Sequence, residues 1–191
     1  MKKKLKISYN APATLSFVLI CFVVTLVGII TNDTSTGFLF SVYRGSLTNP
    51  LTYLRLFTHI FGHSGFEHFI NNAMFILMLG PMLEEKYSSK TIVKMFVITA
   101  LVTGVVHCLF FDNSALCGAS GIVFACIVLS SFTVFKDGEI PLSFILVVIL
   151  FVGKEIYNGI TIQDNISNLT HIIGGVVGSF FGYFQNKKKS F

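Results

Sequence analysis

The 191-residue chain has no tryptophan, four prolines and four cysteines, and only 12% of its residues are charged. A soluble domain carries about a quarter charged residues, so too little charge is present to cover a water-facing globule. No stretch rich in proline, glycine or serine separates one part of the chain from another, and no repeat or low-complexity segment occurs, which excludes a string of linked modules. Cys21, Cys108, Cys117 and Cys126 form no C-x-x-C pair and three lie within apolar runs, which argues against a disulfide scaffold or a zinc ribbon. No basic patch with interleaved aromatics is present, so nucleic acid is not an expected partner.

What the chain has instead is apolar length, with 53% hydrophobic residues and a mean hydropathy of +0.75. Six runs stand out, at residues 14–31, 64–83, 91–111, 117–135, 141–152 and 169–184. A membrane span needs about 20 apolar residues. The expected fold is therefore an all-α membrane protein, a bundle of six transmembrane helices. Residues 1–13 are a short basic lead, residues 14–185 the membrane domain and residues 186–191 a basic tail. The first run lacks an Ala-x-Ala cleavage site, so it reads as a retained span.

The formal charge of +5 comes mostly from lysines at the two ends, Lys2, Lys3, Lys4 and Lys6, then Lys187, Lys188 and Lys189. Six spans put both ends on one side, where Lys86, Lys90 and Lys136 also fall. Basic clusters mark the cytoplasmic side. Both termini are thus expected in the cytoplasm, with loops 32–64, 112–116 and 159–168 outside, in a multi-pass protein of the cell membrane. Loop 32–64 is too apolar to be free and is expected to fold back on the bundle. Ser64 and Glu67 have the form of a capping box at the start of span two, Pro141 stands at the first turn of span five, and that span frays at Gly153, Lys154 and Glu155.

In this topology the even-numbered spans begin at the outer face, and each carries polar groups near its start. Span two has His68 and Asn72, an i, i+4 pair on one helix face. Span four has Ser120, between Gly118 and Gly121, and span six has His171. Polar groups at membrane depth cost kilocalories and face a cavity or each other. Taken singly, Gly118-Ala119-Ser120-Gly121 equally serves close helix packing, and His171, His68 or Asn72 equally serves as a hydrogen bond between helices. Jointly they hold the elements of a serine nucleophile with an imidazole base. Gly174, Gly178 and Gly182 on span six match Gly121 and Ala125 on span four in spacing, so the two helices are expected to touch and bring Ser120 beside His171. His107 is a spare polar group, for packing or for the site.

These motifs resemble the rhomboid intramembrane serine proteases over residues 54–183. The family's H-x4-H-x3-N signature reads here as His63, His68 and Asn72, its G-x-S-G as Gly118 to Gly121, and its A-H-x-x-G-x-x-x-G as Thr170, His171, Gly174 and Gly178. The resemblance implies a six-helix bacterial-type core that cuts single-pass membrane proteins near the outer face with a Ser120–His171 dyad. It implies an oxyanion hole from His68, Asn72 and the backbone N–H of Ser120, with Gly118, Gly121, Phe124 and His63 in support. Phe124 stands where many members carry a tyrosine that stacks on the catalytic histidine. Arg55, His59 and the stretch from Leu79 to Glu84 look like family structural elements. The implied partners are transmembrane protein substrates and the lipid bilayer, and no cofactor is implied. A rival reading takes His59, His63, His68 and Glu67 as zinc ligands, but no H-E-x-x-H is present and Ser64-Gly65 interrupts the helix that would join them. The other rival is a non-catalytic membrane protein, either a catalytically silent relative that binds transmembrane clients or a small transporter. A transporter would be expected to carry a charged residue or a broken helix at the bilayer midplane.

Overall fold

In the computed structural model, residues 7–134, 139–161 and 165–187 are described. The lysines at positions 2–4, 6, 136, 188 and 189 lie outside them, as does the middle of the last connector, residues 162–164. The described residues form eight α-helices: α1 Pro12–Ile30, α2 Thr34–Leu39, α3 Pro50–Thr58, α4 Phe66–Tyr87, α5 Ser89–Phe110, α6 Ser120–Ser131, α7 Leu142–Thr161 and α8 Asn165–Lys187. Strand-like pairing among them is confined to isolated bridges such as Val42 with Leu116.

Helix α6 is the centre. Gly121, Ile122, Val123, Ala125, Cys126, Val128 and Leu129 are all buried, so it has no polar face to turn outward. A helix that is apolar all round belongs in the interior. It packs on α4, α5, α7 and α8, and among the described residues its contact with α8 is the most extensive between two helices. The cause is the glycine stripe. A Cβ on Gly174 would overlap the carbonyl of Gly121, one on Gly178 would overlap that of Ala125, and one on Gly182 would enter the Phe132 ring. The two backbones touch where small residues allow it, as the matched spacing predicts.

Outward faces are apolar. Leu19, Ile20, Val23 and Ile30 of α1, Met74 and Met78 of α4, and Val93, Val97 and Leu109 of α5 are exposed. The inside holds the polar groups, among them Arg55, His59, His63, Asn72, Glu84 and His107. By length and composition, α1 and α5 are apolar enough to cross a membrane, and α6 is a shorter apolar helix. Helix α4 is 22 residues long, but it opens on Glu67, His68, Asn71 and Asn72 and closes on Glu84, Glu85 and Lys86.

Several boundaries differ from the sequence reading. Span four was expected from residue 117, but its α-helix starts at Ser120 and passes into a 3₁₀ turn, Phe132–Val134. Span five does not fray at Gly153, since α7 continues to Thr161, and α8 starts four residues before the expected 169. Apolar runs mark only the stretch suited to hydrocarbon, whereas the backbone ladder continues into the polar flanks. Pro141 sits one residue before α7 and accepts from the N–H of Phe144 and of Ile145. The capping box does not form either. Gly65, at φ +99°, is the N-cap residue, and no side chain caps the helix.

Loop 32–64 does fold onto the bundle, through α2 and α3. Arg55 is 4% exposed, donates to the Phe38 carbonyl at 2.8 Å and lies over the Tyr43 ring at 4.4 Å. A cation so buried is held by its carbonyl and aromatic partners, and with them it fixes the loop's shape. At the other end of the bundle, Glu84 accepts from Ala13 N–H, Thr14 N–H and the Thr14 hydroxyl, at 2.9, 2.9 and 2.8 Å. A carboxylate thus caps the start of α1, where the helix dipole favours negative charge.

Candidate active site

Ser120 is the first residue of α6, so its N–H has no acceptor within the helix. The chain entering it is pinned to loop 32–64 at three points. Val42 and Leu116 exchange backbone hydrogen bonds at 2.9 Å, Gly118 N–H donates to the His59 carbonyl at 3.0 Å, and Ala119 N–H donates to His63 Nε2 at 3.4 Å. Gly118 has φ +126°, a conformation that favours glycine. A Cβ there would lie 2.8 Å from His68 Cε1 and 2.9 Å from His68 Nε2. The glycine lets the His68 ring lie against the backbone two residues before the serine.

His63 and His59 support this turn from below, and both are 1% exposed. Since His63 Nε2 accepts from Ala119, its hydrogen is on Nδ1, which donates to the Phe61 carbonyl at 3.2 Å. Burial pushes the His63 imidazole down to about 4, and the neighbouring His68 ring adds to the effect. Burial likewise holds His59 at about 4, opposed in part by its contact with the Arg55 carbonyl. Both rings are neutral at physiological pH.

His68 is oriented by Ser64. The Ser64 hydroxyl lies 3.1 Å from His68 Nδ1, and the Ser64 N–H donates to the same nitrogen at 3.4 Å. The hydrogen-bond pattern therefore assigns Nδ1 as acceptor and puts the ring hydrogen on Nε2, the edge beside Gly118. This explains the missing capping box, because the serine that would cap α4 is turned to the histidine one helical turn on. Asn72, buried on the same face, donates through Nδ2 to the His68 carbonyl at 3.1 Å. One amide hydrogen remains for another acceptor.

His171 comes from α8 and stacks on Phe124 of α6, with ring centroids 4.0 Å apart and planes 14° from parallel. A phenyl ring thus takes the stacking position without a phenol hydroxyl. Gly121 lies against the methyls of Thr99, Thr103 and Thr170, so the close α6–α8 approach sits directly under Ser120.

Ser120, His171, His68, Asn72 and Phe124 line one cavity of about 540 Å³. Gly118, Gly121 and His63 stand behind it as packing and hydrogen-bond support. The site thus offers a hydroxyl and an imidazole with N–H donors from two further groups. His107 is elsewhere, 2% exposed, bonded to the Ser114 carbonyl at 3.2 Å and stacked on Phe111. It helps close α5 onto the next loop. The His63 and His68 rings meet edge to face, 5.1 Å apart, with their nitrogens turned to separate partners.

Residues 50–188 match the Rhomboid domain. The chain belongs to the rhomboid family. It is thereby an all-helical membrane protein, and its exposed apolar faces are those of a protein in lipid. It is also 31% identical over 138 residues to Rhomboid-related protein 1 of Caenorhabditis elegans, an alignment that covers 68% of this chain and 39% of that protein. The chain therefore spans well under half the length of this rhomboid relative.

Of the residues in the cavity wall that the sequence does not mark as site residues, Asn71 and Lys154 are the strongly polar ones among those described. Asn71 adjoins Asn72 and so was hidden behind it. Lys154 had a legible signal, since it follows a charge-free apolar run. The Ser64–His68 contact had none, because the same S-x-x-E spacing fits a cap.

Proposed function

We propose that this rhomboid protein is an intramembrane serine endopeptidase that cleaves single-pass membrane proteins near the outer face of the cell membrane. The observation that carries the reading is that Ser120 and His171, from different helices, line the same cavity as His68 and Asn72. In the proposed reaction Ser120 Oγ attacks the scissile carbonyl carbon while His171 takes the hydroxyl proton. His171 then returns that proton to the leaving amine, and water hydrolyses the acyl-enzyme by the same route in reverse. Negative charge on the carbonyl oxygen is met by Ser120 N–H, at the positive end of α6, by His68 Nε2–H and by Asn72 Nδ2–H. Phe124 and Gly118 keep the two imidazoles in place, and Gly121 and His63 keep the serine turn in place.

The accompanying topology has six spans, both ends cytoplasmic, and loops 32–64, 112–116 and 159–168 outside. Water reaches the serine from the outer side, and a substrate helix must unwind locally to present a bond. The test uses the purified full chain in detergent with a generic transmembrane substrate. A fluorophosphonate probe should label the protein, Ser120→Ala or His171→Ala should abolish labelling and cleavage, and chelators should leave cleavage intact. Cleavage by the Ser120→Ala protein, or zinc-restorable loss with a chelator, would overturn the reading.

A further inference from the structure

Among the described residues lining the cavity, Lys154 is the one cation and no carboxylate is present. It is exposed, on α7, and shares the cavity with polar groups contributed by α4, α6 and α8. The ion pair formed among the described residues is Arg44 with Asp112, at the end of α5, so no described carboxylate is paired with Lys154. Residues 142–153 of α7 carry no charge. The helix therefore presents the Lys154 ammonium to the cavity that Ser120 and His171 also line.

We propose that Lys154 is a specificity-determining residue that recognises a carboxylate side chain close to the scissile bond of a membrane-protein substrate. The inference rests on the protease reading above for the word substrate, though not for the binding itself. Lys154 is exposed, so its ion pair with a substrate carboxylate is partly screened by water and salt and gives a modest preference. The flexible four-carbon stem of lysine lets the charge follow an acidic residue at neighbouring registers. A lipid headgroup would offer the same anionic chemistry. The position favours the substrate, because Lys154 faces the cavity that holds Ser120 rather than only the lipid-facing side of α7.

The experiment compares transmembrane substrates that differ only by Asp or Asn, placed in turn at each residue near the cut. Cleavage is measured as kcat/KM in detergent. Binding of the same peptides, fluorescently labelled, is measured on Ser120→Ala protein by anisotropy. At one register the Asp substrate should be favoured about tenfold, a difference of about 1.4 kcal/mol. That ratio should fall to about one in Lys154→Met, persist in Lys154→Arg, and shrink with added salt, as a screened charge contact must. Lys154→Glu should shift the preference to a Lys-bearing substrate. An equal ratio in wild type and Lys154→Met at every register overturns the inference, as does an equal loss on both substrates. A Lys154-dependent response to anionic lipid in vesicles, with no response to substrate charge, also overturns it in favour of a headgroup site. A binding preference without any cleavage leaves the inference standing and removes the protease reading.

Discussion

Gly174→Ala tests whether the spacing of α6 and α8 sets the catalytic geometry. The added Cβ would lie 2.8 Å from the Gly121 carbonyl carbon and 3.0 Å from its Cα, and closer still to the oxygen. Nonbonded carbons settle at about 3.5–4.0 Å, so α8 must retreat by about 1 Å. His171 lies three residues earlier on the same helix and travels with it, while Ser120 stays with α6. Overpacking of this kind costs about 1–3 kcal/mol, and the better helix propensity of alanine returns about 1 kcal/mol. The net loss of stability is therefore small, yet a misplacement of about 1 Å at reacting groups typically costs about 10²-fold in rate. The expected result is a variant that folds, melts within a few degrees of wild type in detergent and cleaves about a hundredfold more slowly. Gly178→Ala meets Ala125 one turn further from His171 and should show a like stability change with a smaller rate loss. Gly37→Ala, with nothing within 4 Å, is the control. Cleavage by Gly174→Ala within threefold of wild type would refute the argument that this contact fixes the serine–histidine distance.

Three further outcomes follow from other contacts. Asn72→Ala should lower kcat by about 10²–10³ with KM within a few-fold and melting unchanged, since the amide is asked to bind the oxyanion rather than the resting carbonyl; near wild-type turnover would make Asn72 a helix contact only. Glu84→Gln keeps an acceptor but removes the charge that caps α1 with three hydrogen bonds. It should cost about 2 kcal/mol, read as a lower melting temperature with the rate at low temperature retained. His59 and His63 titrate near pH 4 when folded, against an ordinary 6.5. Between those values the unfolded chain binds protons that the native one does not, so stability is full above pH 6.5 and falls as pH drops towards 4. The loss is on the order of 3 kcal/mol for each ring. The melting temperature in detergent should drop steeply over that window, and His59→Gln should flatten the slope.

Much of the arrangement was legible because membrane helices obey few rules. The Gly121–Ala125 and Gly174–Gly178 spacing predicts a contact, and the carbonyls of Gly121 and Ala125 lie where those glycines leave room. Phe124, at one helical turn from Ser120, was expected to stack on His171 and does so. Helix ends were less legible. Hydropathy reports where side chains match hydrocarbon, and α7 and α8 continue well past that limit through Gly153, Lys154 and Asn165. Loop 32–64 announced that it was not free, but nothing in its composition tells which carbonyl Arg55 will reach, or that Val42 will pair with a residue more than 70 positions away. Such contacts are set by how the helices bring the loop round, which is tertiary information.

The same distinction explains the start of α4. A serine three residues before a glutamate is a local signal, and locally it means a cap. Here the Ser64 hydroxyl has another partner in reach, the acceptor His68 Nδ1, whose ring sits beside Gly118 of a different segment. Turning the hydroxyl to the ring leaves the first turn of α4 uncapped, at a typical cost of about 1 kcal/mol. In exchange it holds the His68 ring hydrogen on Nε2, towards the serine turn. A group that only stabilised the helix would have no reason to give up the cap. That trade lies at the residue expected to meet the oxyanion, which is where a local rule is most usefully broken.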